Sequence, residues 1–292
     1  MRLLLCCLFA MLLPATLLGQ GRSDSLLSLE DTLSPPRLWA HGPFFATPGS
    51  GQRLLPKDQR LVLGGYLDAY YANYGDSTGT TFAQFPHVSP RDNQPGLNIA
   101  MLYARYGSDR VRANLAAHFG DIAEAAWDPN GLLRYVREAN VGIRIVGDLW
   151  LDVGLLPSHL GTEHLLPKDN IASSLSLGTI FSPYYHAGAE LSYTFSEKVF
   201  AKVLVANGYG INGFVDNNRN KAAGWQVRYT PTDKHIIQAS ALYSDETPDS
   251  VYDNLGGDDD KFYRLYHTLF YKYQRENYPA AIRADFGVQM NT

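Results

Sequence analysis

Apolar and polar residues alternate with a period of two in eleven segments that follow one another from residue 61 almost to the end of the chain. In the segment 184–195, Tyr185 and Leu191 share one parity, whereas His186 and Glu190 share the other. A period of two is the pattern of a β-strand with one apolar and one polar face. The predicted strands are 61–71, 96–106, 109–119, 135–146, 148–156, 184–195, 198–207, 222–230, 234–243, 261–273 and 279–290.

The connections between these strands alternate strictly in length. The long ones are 72–95, 120–134, 157–183, 208–221 and 244–260, and the short ones are 107–108, 147, 196–197, 231–233 and 274–278. Membrane barrels have short periplasmic turns and long outer loops, a pattern that a soluble sandwich has no reason to adopt. The sequence therefore predicts an all-β fold, a transmembrane antiparallel up-and-down β-barrel. This interpretation assigns Ile171 to Ile180 to a loop, because a strand there would break the alternation.

The predicted strand number, eleven, is odd. Single-chain bacterial barrels have an even number of strands with both ends periplasmic. With an odd number, the first and last strands cannot meet antiparallel, and their unpaired edges would face lipid. The sequence therefore predicts a barrel of at least 11–12 strands that is incomplete at the C-terminus, unless residues 171–180 supply a twelfth strand.

Composition excludes a helical membrane protein and a nucleic-acid-binding protein. Beyond the first twenty residues, no stretch reaches the roughly 18 apolar residues that a membrane helix needs, and the mean hydropathy is −0.20. The formal net charge of −4 provides no basic field for a polyanion. The 19 tyrosines suit both strands and the boundary between water and lipid.

Residues 1–20 have the pattern of a secretory signal peptide, with Arg2 before an almost wholly apolar run from Leu3 to Leu18. The two cysteines, Cys6 and Cys7, lie in this leader, so the exported chain would have neither a disulfide nor a thiolate metal site. Residues 21–59 are rich in Ser, Pro and Gly. They are predicted as an irregular periplasmic lead-in, with a disordered linker as the alternative. The barrel is predicted over residues 60–292.

Charged residues fall on the polar parity of the predicted strands, which would face the lumen. At the bilayer midplane, an Arg or Lys would cost about 2–4 kcal/mol. The predicted pore-lining residues are Asp68, Arg110, Arg112, Glu138, Arg144, Asp152, Glu190, Lys202, Arg228, Arg283 and Asp285. Six are basic and five are acidic. This balance predicts weak charge selectivity, because rings of one sign select ions.

The longest connection, 157–183, is predicted to fold into the barrel as a constriction. Its polar side chains are His159, Glu163, His164, Lys168 and Asp169. A long outer loop that narrows a pore also sets the local field. Metal binding is the alternative for the two histidines and Glu163. Because zinc requires a fixed scaffold and further convergent ligands, no metal or other cofactor is predicted. The acidic cluster of loop 244–260 is predicted to be solvated rather than to bind calcium.

A series of short motifs along the chain resembles the OmpL-like β-barrel porins of bacterial outer membranes. The series is Gly64-Gly65-Tyr66-Leu67-Asp68-Ala69-Tyr70-Tyr71, Glu138-Ala139, Gly154, Gly161-Thr162-Glu163, Asn170, Ser173-Ser174, Pro183, His186-Ala187-Gly188 and Asn207-Gly208. The resemblance covers about residues 60–290 and implies an outer-membrane diffusion channel in a Gram-negative bacterium. The chain departs from such barrels at its last four residues, Gln289-Met290-Asn291-Thr292, which lack a terminal aromatic.

Three functions are compatible with these observations. The first is a porin that passes small hydrophilic solutes or ions through a water-filled lumen. The second is a non-transport barrel for adhesion or structure, which would bind through loops 72–95 and 244–260. The third is a lipid hydrolase using His118, His186 or Ser192, whose inward parity argues against a site that faces lipid. The expected protein is therefore not an enzyme, and its expected partners are outer-membrane lipid, small solutes and the outer-membrane assembly machinery.

Overall fold

The computed structural model describes residues 61–74, 88–127, 131–161, 163, 166–167, 170, 172, 174–209, 218–232, 234–249, 262–273 and 280–291. The predicted signal peptide and lead-in lie outside these residues. The same holds for His164, Lys168, Asp169 and the acidic cluster of loop 244–260. The backbones of Arg283 and Asp285 are described, but their side chains are not.

In the described ranges, eleven strands form one sheet in which sequence order is also spatial order. The strands are β1 (Leu61–Ala72), β2 (Gln94–Gly107), β3 (Val111–Phe119), β4 (Val136–Val146), β5 (Leu149–Pro157), β6 (Tyr185–Ser196), β7 (Val199–Ala206), β8 (Ala222–Thr232), β9 (His235–Asp245), β10 (Phe262–Tyr273) and β11 (Ala280–Asn291). All ten pairings are antiparallel. The predicted all-β, up-and-down fold is confirmed.

The connections keep the predicted alternation of long and short. The described parts of the long connections contain two short helices, α1 (Asp121–Ala126) and α2 (Leu177–Ile180), and a 3₁₀ helix (Leu132–Tyr135). Where the stretch 171–180 is described it contains α2 and irregular backbone rather than a strand, so the alternative of a twelfth strand there is wrong. Within the described ranges, no helix is long and apolar enough to span a membrane.

The sheet is open. Among the described residues, β1 pairs only with β2, and β11 pairs only with β10. Because each strand reverses the direction of the one before it, β1 and β11 run the same way and cannot join antiparallel. The open sheet agrees with the expectation of an incomplete barrel.

The two faces of the sheet differ in polarity. The face that we call the outer face exposes apolar side chains, and Leu63, Leu102 and Ile282 are each at least 70% exposed. The opposite, inner face carries buried polar and charged side chains, and the long connections pack on it. A soluble protein rarely exposes a continuous apolar surface of this kind, whereas a membrane barrel needs an apolar band toward lipid.

Candidate functional site: the inner face of the sheet

An ion pair joins β3 to β5 on the inner face. The Nε of Arg112 donates to Asp152 Oδ1 at 2.6 Å, Nη2 contacts the other carboxylate oxygen, and Nη2 also donates to Ser192 Oγ at 3.2 Å. The guanidinium lies 4.4 Å from the ring centroid of Trp150. Gly142 makes room for this arrangement, because a Cβ there would lie 2.1 Å from Asp152 Oδ1. Arg112 and Asp152 therefore neutralise each other inside the sheet.

A second ion pair joins β6 to β7. Lys202 Nζ donates to Glu190 Oε2 at 2.9 Å, and both side chains are almost fully buried. A charge-assisted bond of this length is stronger than a neutral hydrogen bond. Removal of either partner would leave a buried charge without compensation.

The other predicted pore-lining residues occupy three kinds of position. Asp68, Glu138 and Arg228 are buried and take part in hydrogen bonds with the side-chain amides of Asn98 (3.3 Å), Asn140 (2.9 Å) and Gln238 (3.1 Å), respectively. Arg144 is exposed near the end of β4, with its guanidinium 5.0 Å from the ring centroid of Trp150. Arg110 is exposed and precedes β3, which begins at Val111 rather than at residue 109.

Residues 158–161, which we call the crossing segment, lead from the end of β5 onto the inner surface of β8 and β9. His159 Nε2 lies 2.8 Å from the carbonyl oxygen of Ala241 on β9. Gln226 and Gln238 donate to the His159 carbonyl at 3.1 and 3.3 Å, and Gln238 also donates to the Gly161 carbonyl at 2.5 Å. Since adjacent strands lie about 4.8 Å apart, the sheet must curve for a segment that leaves β5 to reach β9.

The rest of the 158–184 connection reaches further around the sheet. Tyr209 donates to the Phe181 carbonyl at 2.7 Å, and Tyr266 of β10 donates to the Gly178 carbonyl at 2.9 Å. Glu163 accepts hydrogen bonds from the hydroxyls of Ser176 and Thr179, which fixes the start of α2. Glu163, predicted as a constriction residue, thus stabilises the conformation of the loop. The loop crosses the inner face from the end of β5 to β10.

An apolar cluster lies where the other long connections fold onto the inner face. Ile122 and Trp127, in the connection between β3 and β4, pack with Ile99 and Met101 of β2. Nearby, Asp121 accepts from Arg91 Nε at 2.9 Å and from the Tyr70 hydroxyl at 2.7 Å. This end of the inner face is therefore partly filled by the protein's own connections.

Two histidines meet at the crossing segment. Nδ1 of His159 lies 3.1 Å from Nε2 of His186, and each residue is 1% exposed. Burial, reinforced by His186 and by the positive charge of Lys202, holds the pKa of His159 well below its ordinary value. In the described part of the chain, no group of three or more His, Cys, Asp or Glu residues is placed to hold a metal ion.

Sequence reasoning missed three inner-face residues. Arg105 lies in register with Asn114 and close enough to Glu138 to affect it electrostatically. Gln226 and Gln238 anchor the crossing segment. Their positions on the polar parity of β8 and β9 could have identified the two glutamines. The predicted pore-lining residues are charged residues on the polar parity, so the two uncharged amides are not among them.

The strand pattern and the two-faced sheet are those of an antiparallel membrane-barrel protein. A family model described as "Putative beta-barrel porin-2, OmpL-like" matches residues 60–292, and the chain belongs to this family. Membership implies a location in the bacterial outer membrane. No curated protein matches the sequence significantly.

Proposed function

We propose that the protein is an outer-membrane channel for the passive diffusion of small hydrophilic solutes or ions. The observation that carries this proposal is the contrast between an apolar, exposed outer face and an inner face rich in charged and amide side chains. Lipid would contact the outer face, and solutes would pass along the inner one. In this proposal the chain is exported through the periplasm and inserted by the outer-membrane assembly machinery, as a barrel that crosses the membrane many times.

The channel is proposed to be weakly charge-selective, because inner-face charges of opposite sign neutralise each other. Among the described residues, Arg112 faces Asp152 and Lys202 faces Glu190, so these charges do not form a ring of one sign. In planar bilayers with a tenfold KCl gradient, we expect a reversal potential well below the roughly 59 mV of an ideally selective pore. A reversal potential near that limit would contradict weak selectivity, and the absence of current would contradict the channel itself.

The 158–184 connection is proposed to be the constriction. The double change Tyr209→Phe/Tyr266→Phe removes the hydrogen bonds to Phe181 and Gly178 but retains both rings. We expect a larger single-channel conductance, with more current noise, because residues 178–181 of the loop are no longer hydrogen-bonded to residues 209 and 266. Tyr193→Phe, on the outer face of β6, is the matched control and should conduct like the unmodified protein. Equal conductance of all three proteins would place the constriction elsewhere.

A non-transport barrel is the second candidate, and the apolar cluster on the inner face favours it. Val88, Ile122, Trp127 and Leu166 from the connections are all buried there, and a barrel filled by its own loops need not conduct. A folded protein that inserts in bilayers and stays electrically silent would support this candidate over the channel.

A further inference from the structure

Two hydrogen bonds of the His159 ring hold the crossing segment in place. In a neutral ring, one nitrogen is the donor and the other is the acceptor. A carbonyl oxygen can only accept, so the Nε2 that faces Ala241 at 2.8 Å carries a hydrogen. In a neutral ring, Nδ1 is then an acceptor, and the Nε2 of His186 donates to it across 3.1 Å. When both rings are neutral, the geometry therefore fixes one tautomer for each ring.

We propose that the His159–His186 pair is a proton-sensitive latch that holds residues 158–161 across the inner face of β8 and β9 near neutral pH and releases them in acid.

The charged surroundings of the pair oppose an added proton. Lys202 on β7 is the cation that acts on His159, and its carboxylate partner Glu190 on β6 is already engaged at 2.9 Å. On β8, Gly224 and Gln226 lie against His159, and Arg228, two residues further along the strand, is hydrogen-bonded to Gln238. From β9 the pair meets the Ala241 carbonyl and the uncharged Gln238. Among the described residues, no carboxylate hydrogen-bonds to either ring, so an imidazolium would be buried beside an ammonium without compensation.

Protonation of the His159–His186 pair would also leave a hydrogen-bonding group without a partner. With one added proton on the pair, the two rings can remain bonded only in forms in which Nδ1 of His186 carries a hydrogen. That atom is buried and has no hydrogen-bond partner in the described part of the chain, so the new N–H would be unsatisfied. With two added protons, two N–H donors face each other. Every protonated form therefore stabilises the latched state less than the neutral form does.

The direction of the pH dependence follows from proton linkage. In the latched state the pKa of His159 is depressed, mainly by burial, whereas a released histidine in water takes up a proton below about pH 6.5. The latched state therefore binds fewer protons than the released state at acid pH. Latching is fully present above about pH 6.5, and the ratio of latched to released protein falls about tenfold per pH unit below it for each histidine that is protonated.

The position of the segment can be measured without reference to conduction. The full chain with Cys6→Ser, Cys7→Ser, Ser158→Cys and Val227→Cys carries two spin labels, one beside His159 and one on the outer face of β8. Double electron–electron resonance in lipid vesicles should give one short distance at pH 7.5. At pH 5.0 a second, longer population should appear. An identical distance distribution at both pH values would overturn the latch.

Variants separate the latch from other acid effects. His159→Gln/His186→Gln replaces both rings with amides, which can form hydrogen bonds but cannot titrate. The distance distribution of this variant should therefore be independent of pH. Gly224→Ala adds a methyl group that would lie 2.7 Å from His159 Nε2, and it should release the segment already at pH 7.5. His235→Gln removes a histidine that bonds to Tyr271 instead, and it should retain the pH response. A response that survives in the double glutamine variant, or disappears in His235→Gln, would contradict the proposal.

A bilayer recording adds a second readout that rests on the proposed channel function. If the protein conducts, conductance should be higher at pH 5.0 than at pH 7.5, and the difference should vanish in the double glutamine variant. If the protein is silent but the distance still changes with pH, the latch stands and the channel proposal fails. If the protein conducts but the distance does not change, the channel stands and the latch fails.

Discussion

Val141→Arg should prevent membrane assembly of the protein. Val141 lies in the middle of β4 on the outer face and is 51% exposed, which in a membrane barrel means exposed to lipid. An arginine near the bilayer midplane costs about 2–4 kcal/mol. This cost already applies during membrane insertion, before all the strands have paired. The fraction of heat-modifiable, protease-resistant barrel recovered after refolding into vesicles measures the effect.

Asn140→Arg is the matched control, since it places the same side chain one residue earlier on the inner face. Asn140 hydrogen-bonds to Glu138 at 2.9 Å, so an arginine there has a carboxylate within reach. This variant should assemble as the unmodified protein does. Equal assembly of both variants, or equal failure, would contradict the assignment of the two faces.

Lys202→Met should strongly destabilise the assembled barrel. It leaves Glu190 buried without its partner 2.9 Å away, and breaking a buried ion pair from one side costs about 3–5 kcal/mol. The urea midpoint of the assembled barrel should fall accordingly. Lys198→Met, in the exposed turn between β6 and β7, should change stability by less than about 0.5 kcal/mol.

The double change Glu190→Gln/Lys202→Met tests whether the loss comes from the unpaired carboxylate. Without a buried charge, much of the stability should return, because replacing a whole buried pair is often nearly neutral. If the double variant is as unstable as Lys202→Met, packing of the lysine stem rather than its charge is responsible.

The strand framework could be predicted from sequence because it depends on a short-range signal. In β7 the adjacent residues Lys202 and Val203 point to opposite faces of the sheet. This alternation of polar and apolar residues can be read directly from the sequence. Strand ends depend on tertiary contacts and cannot be predicted to the residue from this pattern. β3 begins at Val111, so Arg110, predicted as pore-lining, instead lies in the exposed turn before it.

The inner face could be predicted only as a set of residues, not as a set of contacts. The partners Arg112 and Asp152 are 40 residues apart, and His159 lies 82 residues from Ala241. Periodicity predicts on which face of the sheet a side chain lies. Which side chains are in contact depends on the register and curvature of the sheet. The same limit applied to His186, whose inward parity was evident, whereas its bond to His159 required the fold of the long connection.

Single-channel recording of the purified, refolded protein in a planar bilayer tests the central claim most directly. We expect discrete, stable current steps that scale with salt concentration and show weak selectivity. These steps should be absent when Val141→Arg is refolded in parallel. A protein that forms a heat-modifiable, protease-resistant barrel in the same lipid and yet gives no current steps would contradict the proposed channel.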